Sequence, residues 1–511
     1  MRRLTVVISV AAVTLSSIAT VATVTRATAA PSTPRAGSIA WKSCSDPGLK
    51  QLHAQCGYLT VPLDYHHPRG ATIKVAVSRV MHTSSAADYQ GIALSNPGGP
   101  GGSGLTLNGF FAQTLKQENL THGAAASGDY DWIGFDPRGV GSSLPAISCD
   151  PNYFSYDRPA YTPSTPALLR TWLSRSKAYA NACRKNGAIL NHMTTEDVAR
   201  DVDSIRAALG QSQITYYGFS YGTYLGQVYA TMFPTHVRRM VLDSNVDPRT
   251  VWYNANIDQD YAFNRNIDIW FAWVAKYNKV YHLGGTEKAV QNLYYSELPK
   301  LAAHPAGGKI GPDELGDALL QAGYYEQTWV QVAQAWAKLV HKGDIRDIKS
   351  IYDSSQTPGN DNSFAVYNAV QCTDTQWPLS WAKWAKDNWA ANAKSPFLTW
   401  GNAWFNAPCL YWPARAHTPV TISGGQAPPI LLIDETLDAA TPFSGSLYTR
   451  SLFPSSVLLA EPGGTTHADS LSGDTCVDNV AATYLATGQL PPRKPGGGPD
   501  ITCKPIPIPH P

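Results

Sequence analysis

The stretch ITYYGFSYGTYLG, from Ile214 to Gly226, restricts the chain more than any other. β-branched and aromatic residues read as a buried strand, and the run then passes through Gly218, Ser220 and Gly222 into a helical pattern. A G-x-S-x-G sequence at such a junction fits a sharp strand-to-helix turn, in which glycines leave room and the central residue is lifted clear of the sheet. The following helix points free amides and its positive dipole end at whatever Ser220 attacks. Ser220 is thereby a candidate nucleophile, provided the rest of the chain supplies its partners.

The surrounding pattern supports such a sheet. YLTVPLDY and TIKVAVSRV alternate apolar and polar residues, as an antiparallel pair does. GIALSN and DYDWIGFD read as buried strands, each breaking into a glycine-containing loop. TEDVARDVDSIRAALG carries apolar residues at Val198, Val202, Ile205 and Leu209, close to helical spacing, and Gly210 stops it. RRMVLDSN, PPILLID and SSVLLAEPG complete the series of strands. This alternation predicts a doubly wound, mostly parallel α/β sheet. Between Val246 and Gln426 it stops: helical patterns such as TWVQVAQAWAKLV dominate, with twelve of the fifteen tryptophans. So apolar a segment is no disordered loop. It reads as a helical cap inserted between late strands, most of its tryptophans in the cap core and the rest lining a cleft.

The bulk composition sets limits on partners. A net charge of +2 with 15% charged residues gives no polyelectrolyte character, which argues against nucleic acid. MRR, the apolar run from Leu4 to about Val24 and the small residues ATAA form an export signal, with cleavage after Ala29 and a short leader over 30–38. No membrane attachment is expected after cleavage, and the mature protein reads as a secreted monomer. The eight cysteines suit an oxidising compartment, and their order suggests local bridges: Cys44 with Cys56, Cys149 with Cys183, Cys372 with Cys409 and Cys476 with Cys503. Loops of these lengths would each add about 3 to 4 kcal/mol in the chain-entropy model. With no C-x-x-C pair, neither metal nor cofactor is expected.

If Ser220 is a nucleophile, an oxyanion loop should precede it, and an acid and then a histidine should follow. NPGGPGGSG, Asn96 to Gly104, supplies the loop. The Gly99 amide opposite the Tyr221 amide would each contribute about 3 to 4 kcal/mol of transition-state stabilisation. A phosphate-binding reading fails, because the lysine of a Walker loop is absent. Asp438 lies a few residues beyond a strand in a loop closed by Pro442, whereas Asp434 and Glu435 end the strand and Asp243 and Asp247 follow an earlier one. His467 follows the last long strand in a glycine-rich loop, 29 residues after Asp438. Asp136 and Arg138 in DPRGVGSS are expected to pair and brace the oxyanion loop.

These stretches also carry a resemblance. NPGGPGGSG, GFDPRGVGSS, GFSYGTYLG, RMVLDSNVDP, LDAATP and GGTTHAD with its following cysteine look like the secreted α/β-hydrolase peptidases of actinomycetes, the tripeptidyl aminopeptidase group related to prolyl aminopeptidases. The resemblance implies Ser220 as nucleophile, Asp438 as orienting acid and His467 as general base. The insertion divides the chain into a catalytic domain over 39–245 and 427–511 and a cap (lid) over 246–426. The resemblance departs at the histidine loop, where relatives often carry a further glycine, and at Pro97, where prolyl enzymes tend to carry histidine. The implied substrate is a peptide with a free N-terminus, from which a tripeptide is released; a carboxylic ester hydrolase using the same residues is the alternative. A free ammonium in a closed cleft needs a carboxylate partner. Glu326 in GYYEQTW and Asp374 in QCTDTQW, each near aromatics, are the candidates.

Overall fold

A computed structural model describes residues 37–116 and 119–511. The expected signal and most of the leader lie outside the described residues. Ten strands form one sheet: β1 (Lys42–Ser43), β2 (Gln55–Pro62), β3 (Thr72–Val80), β4 (Ile92–Asn96), β5 (Asp131–Asp136), β6 (Ile214–Phe219), β7 (Val237–Asp243), β8 (Ile430–Glu435), β9 (Val457–Glu461) and β10 (Ile501–Thr502). Their order is β1-β2-β3-β5-β4-β6-β7-β8-β9-β10. β1, β2, β3 and β5 pair antiparallel in sequence, and every pairing from β5 through β4 to β10 is parallel. The residue patterns account for this. β2 alternates buried and exposed positions, as an antiparallel strand with one wet face does, whereas β4, β5, β6, β8 and β9 are buried throughout because helices cover both faces.

The expected helical insertion separates β7 from β8, from the helix Tyr253–Lys276 to the turn Ala407–Tyr411. Nine of its twelve tryptophans are buried, which fits the core reading. The insertion is not packed uniformly, however. Its earlier helices build a core of their own around Trp270, Phe271, Trp329 and Trp336. Its later residues, among them Phe364, Trp384 and Trp404, merge with the core beneath the sheet. Trp404 stacks on Trp172 at 5.7 Å, so the later helices are continuous with a helix that precedes the nucleophile in sequence.

All four expected disulfides are present, Cys44–Cys56, Cys149–Cys183, Cys372–Cys409 and Cys476–Cys503, and no cysteine is free. Each closes a short loop, of 12 to 37 residues, within one part of the fold. Among the described residues, no helix is long and apolar enough to cross a membrane.

Candidate active site

Ser220 stands between β6 and the helix Tyr221–Met232, with φ 56° and ψ −126°. A non-glycine residue rarely takes a positive φ, and here the surroundings impose it: the Ser220 amide donates to the Asp243 carbonyl at 3.0 Å. The two glycines are sterically required. A Cβ on Gly218 would lie 2.4 Å from the Gly222 carbonyl oxygen, and one on Gly222 would lie 2.6 Å from that of Asn96.

The oxyanion loop follows β4. The Gly98 amide donates to Asn96 Oδ1 at 3.0 Å, while the Gly99 amide makes no hydrogen bond among the described residues. Gly99, Ser220 and Tyr221 border the same cavity. Asp136 does brace this loop: it accepts from Ser103 Oγ at 2.5 Å and from the Gly104 amide at 3.2 Å. Its expected pairing with Arg138 does not occur. Arg138 is fully buried and makes a two-pronged ion pair with Asp201, both contacts at 2.8 Å, on a helix that no local pattern links to it.

Asp438 and His467 meet as the sequence suggests, with Nδ1–H donating to Asp438 Oδ2 at 2.7 Å. The other lone pairs of this buried carboxylate are satisfied too. The amides of Ala440 and Thr441 donate to Oδ1 at 2.8 and 3.1 Å, and Thr441 Oγ1 donates to Oδ2 at 2.8 Å. Burial alone would raise the Asp438 pKa, but the charge and hydrogen bond of His467, with the Thr441 amide, hold it below the usual value. His467 moves the opposite way: burial lowers its pKa, and the Asp438 charge more than reverses that, leaving it above the ordinary imidazole value. A buried imidazole so oriented by a carboxylate is set up to take a proton.

The rival acids have other duties. Asp243, pushed up to about 6 chiefly by burial, accepts from the Ser470 amide at 3.0 Å and from Ser470 Oγ, fixing the loop that carries His467. Asp247 pairs with Arg249, and Asp434 accepts from Ser446 Oγ at 2.5 Å, a brace between β8 and the following helix.

Ser220 and His467 open into a cavity of about 490 Å3, whose lining includes Tyr324, Tyr325, Tyr367 and Phe405 of the insertion. Neither carboxylate expected to meet a substrate ammonium reaches it. Glu326 is buried and accepts from the Thr465 amide at 3.1 Å and from Thr465 Oγ1 at 2.7 Å. Its own amide donates to Thr466 Oγ1, and the His467 amide donates to the Tyr324 carbonyl at 2.9 Å. Glu326 therefore ties the insertion to the histidine loop. Asp374 is equally occupied, accepting from the Thr195 amide and hydroxyl, both at 2.6 Å, and from Trp252 Nε1 at 3.1 Å.

The carboxylates that do line the cavity are Asp247, Asp258 and Asp317. Asp317 pairs with Arg158 at 2.8 Å and Asp247 with Arg249, whereas Asp258 has no partner among the described residues. Burial, with a smaller contribution from the Asp247 charge, raises the Asp258 pKa. Sequence reading passed over Asp258 because it lies inside a long helix with no motif around it.

Comparison with known proteins places the chain in a family. Residues 94–288 match the family described as alpha/beta hydrolase fold, and residues 395–503 the family described as TAP-like protein. The sequence is 40% identical to a tripeptidyl aminopeptidase of Streptomyces lividans over 93% of this chain and 88% of that one. It is 31% identical to the serine protease Hip1 of Mycobacterium tuberculosis, over 90% of this chain and 91% of that protein. A carboxylesterase B of Mycobacterium tuberculosis is also 31% identical, with the same two coverages.

Proposed function

The chain belongs to the tripeptidyl aminopeptidase family of α/β-hydrolase serine peptidases, and from that premise we propose that it is an exported enzyme releasing tripeptides from free amino ends. Ser220 is the nucleophile, His467 its general base and Asp438 the acid that orients the imidazole. The imidazole takes the Ser220 proton as Oγ attacks the scissile carbonyl, and the amides of Gly99 and Tyr221 receive the developing oxyanion. Imidazolium then protonates the leaving amine. Water, activated by the same histidine, hydrolyses the acyl-enzyme. Export is supported by the N-terminal signal pattern and by four disulfides, which persist in oxidising compartments.

The observation that carries the amino-end reading is the cavity. Residues of the insertion cover part of the space above Ser220, and a partly covered cleft admits a chain end more readily than its middle. Within that space Asp258 is the carboxylate free to meet an ammonium, and it takes the role for which Glu326 and Asp374 are wrongly placed. The test compares a short peptide anilide, free and N-acetylated, on the wild type and on Asp258→Asn. Acetylation should lower kcat/KM in the wild type by about fivefold, because the exposed Asp258 carboxylate at the cavity wall then loses its ion-pair partner. The same acetylation should cost Asp258→Asn far less. Equal cleavage of both substrates by the wild type would refute amino-end recognition; if simple esters were then cleaved and peptides not, the chain would side with its carboxylesterase relatives.

A further inference from the structure

Behind the histidine loop lies a group of carboxylates that the proposed chemistry does not use. Glu435 ends β8 and Glu461 ends β9, and the two are paired residues in the parallel register, so their side chains leave the same face of the sheet. Asp469, two residues after His467, completes the group, and one oxygen from each of the three lies within 4.8 Å of the others. All three residues are buried, Glu461 completely. No Lys or Arg forms an ion pair with any of them among the described residues.

Like charges facing each other across adjacent strands are destabilising, and buried ones far more so. The surrounding donors do not resolve this. Glu435 accepts from the Thr466 amide, but both carboxylate oxygens of Glu461 and Asp469 Oδ2 have no hydrogen-bond partner. A fourth carboxylate, Asp474, lies beside Glu461 and also has an unpartnered oxygen. Position 464 is glycine, and any Cβ there would come within 2.4 to 2.6 Å of the Glu435 carboxyl atoms. The backbone thus leaves room for a carboxylate that nothing else neutralises.

We propose that Glu435, Glu461 and Asp469 bind one divalent cation of the calcium class, which ties the ends of β8 and β9 to the loop carrying His467. An all-oxygen set suits a hard cation, and ligand oxygens about 2.4 Å from one centre lie no more than about 4.8 Å apart, as these do. Glu461 is fully buried, and neither of its carboxylate oxygens has a hydrogen-bond partner. The ion would act structurally. Asp438 follows Glu435 by three residues and His467 precedes Asp469 by two, so a bridge between these carboxylates fixes the separation of the two loops that must meet at 2.7 Å. No metal was expected from the cysteine pattern, because the donors here are carboxylates brought together only by strand register.

The test uses the full-length secreted protein, stripped with a chelator and dialysed against calcium, magnesium or manganese chloride. Elemental analysis should find one tightly held ion per chain. Calcium should raise the melting temperature of the stripped protein by about 2 to 5 °C. Glu461→Gln and, separately, Asp469→Asn should weaken ion binding more than about tenfold and abolish most of that rise. Should both variants fail to fold, the titration of the stripped wild type still decides. A stripped wild type that binds none of the three ions at millimolar concentration, with an unchanged melting curve, would overturn the proposal and leave a cluster neutralised by protons. So would binding that survives both substitutions. Failure of the peptidase assays would leave these binding measurements untouched.

Discussion

Asp438 and Glu435 lie three residues apart at the end of β8, both buried, and their carboxyls are held in opposite states. Around Asp438 every lone pair has a donor, one of them an imidazole able to carry positive charge, and its pKa falls below the usual value. Burial, followed by the charges of Asp469, Glu461 and Glu326, pushes Glu435 up to about 11, and Glu461 follows to about 10 for similar reasons. Burial is common to both sites. What differs is whether the neighbours donate protons or compete for them, and that separates a carboxylate that orients a base from a set that needs either protons or a cation.

The largest expected effect breaks the first half of this contrast. Asp438→Asn should lower kcat by about three to four orders of magnitude while the melting temperature moves little, because the imidazole loses its tautomer and its charge partner. Glu435→Gln should cost kcat no more than about tenfold; a loss as large as that of Asp438→Asn would mean that the two carboxyls share one role.

The second prediction concerns pH in the chelator-stripped protein. Glu435, Glu461 and Asp469, raised to about 11, 10 and 8, hold protons in the folded chain that the unfolded chain releases near pH 4. Their contribution is therefore fully present below pH 4 and is lost as pH rises through the raised values. Asp438 has the reverse sign, but its window lies below pH 4. The unfolding free energy of the stripped protein, from denaturant titration, should accordingly fall from pH 5 to pH 8 by more than about 1 kcal/mol per pH unit. A flat profile would remove the contrast.

A smaller effect sharpens the Asp438 side. Thr441→Val deletes one donor to the ionised carboxylate without emptying the site, and kcat should fall about tenfold with KM unchanged. The smallest is a control on the loop after β7. Asp247 pairs with a half-exposed Arg249, so Asp247→Asn should change stability by less than about 1 kcal/mol, measured by thermal melts. A loss of kcat comparable to that of Asp438→Asn would move the orienting acid to the earlier strand.

Much of this was legible in the chain because the signals are local. The turn at Ser220 needs glycines two residues to either side, and both stand in one pentapeptide. The cysteine pairs close loops short enough to guess from order. Where reading failed, the partner was distant. Glu326 and Asp374 sit near aromatics like cleft residues, yet their partners at Thr465 and Thr195 lie 139 and 179 positions away. Local order pairs Arg138 with Asp136 two residues off, whereas the fold gives it Asp201, 63 positions along.

By itself the sequence determined the alternation of strands and helices, the place of the insertion and the order of nucleophile, acid and histidine, since hydrophobic periodicity and turn chemistry act over a few residues. The tertiary structure alone decided which carboxylates face the cavity, which brace the histidine loop and which crowd together behind it. A carboxyl group is the same few atoms in each place, and its state is set by the dielectric and the donors around it, which only the packed chain supplies.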